Sequence, residues 1–177
     1  YLLLGEAMAR ASSLPLDELM SRQVCGPLGL KVGSARQWRR SEPSFERRVA
    51  PTENVAWRGG VVRGAVHDEN AWALGGDSMC GHAGLFGNAM DLAKVLQMWL
   101  NKGEYAGERF IQPATVELFT GRQEGYEFNR RGLGWDKPDP DSSKPQPVCV
   151  GPSLLSYGHT GFTGNMVWVD PAYDLIY

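Results

Sequence analysis

Apolar residues recur at helical spacing from the start of the chain. Leu3, Leu4, Ala7, Met8 and Ala11 fall on one stripe of residues 2 to 12, which predicts an amphipathic helix with that stripe turned to the core. A second helix is expected directly after it. Pro15 suits a first turn, Asp17 and Glu18 sit near the positive N-terminal end, and Leu16, Leu19, Met20 and Val24 form the apolar face before Gly26-Pro27. From Lys31 to Arg63 the periodicity fades while arginine becomes frequent, so this stretch reads as a long surface excursion. Excursions of that length are uncommon unless they are functional or hold short structure of their own.

Periodicity returns at Asn88, a good N-cap with Asp91 three residues later. Leu92, Val95, Leu96 and Trp99 form a stripe that closes at Gly103. A shorter helix is expected from Pro113 through Val116, Leu118 and Phe119. Beyond it the period changes. Gly132 to Trp135 is a short strand candidate, Asp136 to Pro147 a polar Pro-rich loop, and Met166 to Val169 a buried strand entering a tight turn at Asp170-Pro171. With helices in the first two thirds and strands in the last, the expected fold class is α/β in the mixed, α+β sense.

Composition narrows the function classes. The chain of 177 residues carries 18 Lys and Arg against 20 Asp and Glu, a net charge of −2, which argues against a nucleic-acid-binding module. The 22 Gly and 11 Pro leave it short of low-complexity composition. Pro145 to Val169 lacks charged residues, but Pro147, Pro152, Gly158, Gly161 and Gly164 interrupt it, so no transmembrane segment is expected. Three cysteines without a C-x-x-C, and no H-E-x-x-H, support neither a disulfide framework nor a metal site, and no cofactor is implied.

His67, His82 and His159 all lie in Gly-dense or acidic contexts, and for the first two a hydrogen-bonded structural role near a loop-to-helix junction is expected. Ser78, in Gly-Asp-Ser-Met-Cys, approaches a G-x-S-x-G nucleophile elbow, but Cys80 stands at its last position and Asn70 to Leu74 does not read as the strand such an elbow needs. The densest signal is Tyr157-Gly-His-Thr-Gly-Phe-Thr-Gly164. Glycines around a short polar group at a strand edge let a ligand approach the backbone, whose N–H groups can then stabilise an oxyanion.

These residues resemble the serine β-lactamase and penicillin-binding-protein family, in particular its β-lactamase-related serine hydrolases. His159-Thr160-Gly161 matches the place of that family's K-T-G or H-x-G motif. Pro27-Leu-Gly-Leu30, Ala50-Pro-Thr-Glu53, Gly64 to Ala71, Gly81 to Phe86, Leu133-Gly-Trp135 and Trp168-x-Asp-Pro171 are similar to further family segments in the same order, so the resemblance covers nearly the whole chain. It implies a β-lactamase/transpeptidase-like fold in which residues 1 to about 120 form a mainly helical subdomain and about 121 to 177 return to an antiparallel sheet.

The resemblance also implies an acyl-enzyme mechanism. The Ser and Lys of S-x-x-K and the Tyr of Y-x-N would perform it, and neither motif occurs in these residues, so both are expected upstream and the isolated chain is expected to be an inactive C-terminal portion. His159, Thr160 and Gly161 would line the substrate strand and the Phe162 N–H would serve as an oxyanion donor, with Glu53, Arg58 and His67 as candidate rim residues of the cleft. A histidine in place of lysine titrates around neutrality rather than remaining a permanent cation. This tilts the expectation towards an esterase or D-amino-acid peptidase over a true β-lactamase. The partner would be a small-molecule or peptide substrate of cell-wall type, met in the periplasm or outside the cell. A non-catalytic binding module that keeps the cleft is the alternative.

Overall fold

The computed structural model describes residues 1–123 and 130–177, and these divide into two compact units, Tyr1–Asp91 and Leu92–Tyr177. The first opens with α1 (Leu2–Ser12), closed by Ser13 in the left-handed conformation at φ 56°. The helix is as expected, but its burial is not. Leu3, Leu4 and Met8 are exposed, and the residue that packs is Gly5, whose Cα hydrogens face the Gly81 backbone so closely that a methyl group would stand 2.9 Å from Gly81 Cα. Backbone-to-backbone packing therefore selects a face that hydrophobic periodicity cannot reveal.

Helix α2 (Leu16–Met20) runs into a π-helical turn, Ser21–Cys25, where Gly26 N–H donates to Ser21 O at 2.8 Å. Next comes a region that corrects the surface-excursion reading. Strand β1 (Gly33–Ser34) leads into α3 (Ala35–Ser41), which is held by a capping box: Gln37 N–H donates to Ser34 Oγ, and the Gln37 side chain accepts from Ser34 N–H. Helix α4 (Phe45–Arg48) buries Phe45, which stacks on Trp38 at 6.0 Å. The ring also meets Phe86 edge-on at 5.4 Å. Aromatic packing at irregular spacing gives this stretch its own small core, so it is structured although it lacks a long period.

Strands β2 (Asn54–Val55) and β3 (Gly60–Val61) form a hairpin around a 3₁₀ turn, Ala56–Arg58. Helix α5 (Glu69–Gly75) follows, capped by Asp68, and strand β4 (Leu85–Phe86) pairs back antiparallel onto β1.

Helix α6 (Ala89–Leu100) starts on the expected cap, with Asp91 N–H donating to Asn88 Oδ1 at 3.0 Å. In the second unit follow a tight hairpin of β5 (Glu104–Tyr105) and β6 (Glu108–Arg109), then α7 (Pro113–Thr120). A three-stranded antiparallel sheet completes it: β7 (Tyr157–Thr160), β8 (Met166–Asp170) and β9 (Leu175–Ile176), in that order. Its core gathers Leu96, Tyr157 and Val169, with Trp99 and Trp135 stacked edge-on at 5.2 Å and Trp135 meeting Tyr157 at 5.2 Å. Gly132 to Trp135 is not a strand. The pairing residue is the next one, Asp136, through a single antiparallel bridge to Gly158.

Candidate active-site strand

Strand β7 lies at the edge of its sheet. The register pairs His159 with Val167 and Thr160 with Met166, and the turn that follows is closed by Gly161 N–H to Asn165 O at 2.7 Å and Gly164 N–H to Gly161 O at 3.1 Å. Gly158 is required by its neighbour. A Cβ there would stand 2.6 Å from Trp168 Cδ2, so the buried indole can lie across β7 only over a glycine.

Antiparallel strands turn successive residues to alternate edges. Gly158 N–H and C=O point away from β8 and exchange bonds with Asp136, and Thr160, two residues on, faces the same outer edge. Phe162 stands at the second position of the turn with its side chain 91 % exposed. His-Thr-Gly thus occupies the exposed end of an edge strand.

The imidazole of His159 is held from both sides. Its Nδ1 lies 2.7 Å from Thr160 O, an acceptor, and its Nε2 lies 3.5 Å from Arg131 Nη1. Arg131 is placed by its chain neighbours. Arg130 grips the Asp136 carboxylate with Nε at 3.0 Å and Nη2 at 3.3 Å, while the Asp136 backbone pairs with Gly158. Residue spacing singles out neither Arg131 nor Asp136. The adjacent arginines just before Gly-Leu-Gly-Trp were the available signal.

Behind the strand, Lys137 is buried and donates from Nζ to Ser156 O at 3.0 Å and Leu155 O at 3.3 Å. Burial first, and then the nearby Arg122 cation, lower its pKa to about 8, against the opposing pull of Asp170. Burial likewise raises the Tyr157 phenol.

In the first unit the three rim candidates come together. Thr52 Oγ1 lies 2.9 Å from His67 Nδ1, Glu53 Oε2 is 3.2 Å from His67 Nε2, and Arg58 Nη1 donates to Val66 O at 2.9 Å and His67 O at 3.1 Å. His82 pairs with Asp68, whose carboxylate is held below its ordinary range chiefly by Ala71 N–H and also by His82. Ser78 is preceded by helix α5 instead of a strand, and its Oγ is buried without a hydrogen-bond partner among the described residues.

The sequence pattern of the Beta-lactamase family matches residues 1–177, the full length. The chain belongs to that family. Among curated members, it is 34 % identical over 186 residues to the N-acetylmuramyl-L-alanine amidase of Bacillus subtilis (strain 168), covering 99 % of this chain and 41 % of that protein. A candidate D-alanyl-D-alanine carboxypeptidase of Salmonella gallinarum is 35 % identical, over 97 % of this chain and 41 % of its own length. The chain thus spans about two fifths of these relatives.

Among solved structures, the octameric penicillin-binding protein homologue of Pyrococcus abyssi superimposes with a TM-score of 0.65 at 18 % identity, covering 99 % of this chain and 35 % of that one. At that identity the likeness shows the β-lactamase/transpeptidase fold, matching the mixed α/β class expected from the sequence.

Proposed function

We infer that this Beta-lactamase-family chain carries the substrate strand of a serine hydrolase that works through an acyl-enzyme, with Ser and Lys of an S-x-x-K and Tyr of a Y-x-N supplied from outside these residues. The carrying observation is His159-Thr160-Gly161 at the exposed end of edge strand β7, with Arg131 Nη1 3.5 Å from the imidazole.

In such a reaction the serine Oγ adds to the substrate carbonyl and its proton passes to the base. The C–N or C–O bond breaks, and that proton leaves with the amine or alcohol. Water then cleaves the acyl ester, returning a proton to the serine oxygen and releasing an acid. The Phe162 N–H would stabilise the oxyanion together with the serine's own N–H.

The preferred substrate class is a cell-wall-derived peptide or a related ester or amide. The names of the amidase and carboxypeptidase relatives support it. So does chemistry at the strand: a permanent guanidinium beside the His159 imidazole supplies the cation that lysine gives in K-T-G, and a bidentate arginine suits a terminal carboxylate.

The test is the intact mass of the native gene product before and after incubation with a fluorophosphonate or a penicillin. A mass above 19.5 kDa that grows by one probe equivalent supports the acyl-enzyme. A mass equal to this chain, with no shift, sinks it in favour of a binding module.

A further inference from the structure

In the first unit, two tryptophans stand in the open. Trp57, in the 3₁₀ turn, is 61 % exposed, and Trp72, on α5, is 39 % exposed; their ring centroids are 6.0 Å apart at 58°, forming a shallow V. Such rings ordinarily bury their area. The Arg58 guanidinium lies 4.4 Å from the centre of Trp72 and 5.9 Å from that of Trp57. Its Nη1 is committed to the carbonyls of Val66 and His67, which fixes the group, while its Nε and Nη2 have no acceptor among the described residues. Neither indole N–H has one either, whereas Trp38 Nε1 donates to Phe86 O at 3.0 Å. Glu53 adds an exposed carboxylate through His67.

This surface offers the exposed Trp57 ring, the donors of an Arg58 guanidinium held over the Trp72 ring, and one acceptor, Glu53. That combination matches a pyranose ring, whose C–H face sits on an aromatic π-face while its hydroxyls and acetamido oxygen take hydrogen bonds at the rim. A protein interface fits less well, because two rings set among charged groups fall far short of roughly 800 Å² per partner. We propose that Trp57, Trp72 and Arg58, with Glu53, form a binding site for an N-acetylated saccharide. The proposal rests on the cell-wall reading above and assigns a sugar subsite to the Arg58 region.

Tryptophan emission of the full-length protein, titrated with the β-1,4-linked tetramer of N-acetylglucosamine, tests it without any acylation chemistry, so it can fail while the hydrolase reading stands. The expected result is a saturable shift that maltotetraose gives much more weakly and that Trp57→Ala weakens about tenfold. Far-UV circular dichroism of Trp57→Ala should match the parent, since that side chain is exposed, and Arg58→Lys should also weaken binding by losing the fork. No saturable shift, or a shift that Trp57→Ala leaves unchanged, overturns the proposal. A response to a sugar-free pentapeptide ending in D-Ala-D-Ala, with none to the sugar, overturns it too and assigns the surface to peptide.

Discussion

Asp136 and Gly158 exchange both of their backbone hydrogen bonds, Asp136 N–H donating to Gly158 O at 2.7 Å and Gly158 N–H to Asp136 O at 3.0 Å. This one bridge docks the segment after residue 130 against β7 and brings Arg131 to His159. It also depends on Gly158, because the opposite side of that residue is filled by the Trp168 indole.

Gly158→Ala is therefore expected to destabilise the chain by about 2–3 kcal/mol, since the new methyl group must displace Trp168 or the Val167 carbonyl. Urea unfolding followed by tryptophan emission reads this directly. A loss under about 0.5 kcal/mol, the range of ordinary surface substitutions, would contradict the packing described.

Lys137 makes stability depend on alkaline pH. Its folded pKa of about 8 lies below the ordinary 10.5, so between those values the unfolded chain holds the proton that the folded chain has lost. Stability should rise with pH across that window, by up to ~3 kcal/mol, and the burial penalty should be fully present below about pH 8. Lys137→Met removes the titrating group. The difference between its urea midpoints and those of the parent, followed from pH 7 to pH 10, should shrink as pH rises; a constant difference would refute the assignment.

At Asp68 the sign is opposite. A carboxylate held below its ordinary pKa contributes stability that is present above that ordinary value and lost as pH falls through the lowered one. Asp68→Ala should cost about 1 kcal/mol at neutral pH by removing the α5 cap. Asp68→Asn keeps a capping oxygen and should recover much of that while flattening the acid limb of the stability curve. Parallel acid limbs for the parent and Asp68→Asn would argue against the cap and the His82 pairing as its source.

If Arg131 recognises a substrate carboxylate, Arg131→Ala in the full-length protein should slow acylation by a penicillin about tenfold or more, and by a neutral fluorophosphonate much less. His159→Lys should favour the penicillin. Equal losses for both probes would assign Arg131 a merely structural part.

Much of this was legible along the chain. The helices beginning at Leu2, Ala89 and Pro113 and the strand Met166–Asp170 carry local signals, caps and turn residues within a few positions, and a capping group acts only over that distance. His-Thr-Gly and its ordered companions were likewise enough to place the chain in its family, because a motif is a local string. Tertiary structure alone decided which face of α1 packs, since Gly5 is chosen by the close approach of the Gly81 backbone and not by hydrophobicity. It also decided that residues after Lys31 have a core, built by Trp38, Phe45 and Phe86, whose separations of 7 and 41 positions follow no period. The same holds for Arg131 beside His159, 28 residues apart, and for Arg58 between two tryptophans. Contacts between distant positions are set by packing and strand register, which no short window of sequence contains.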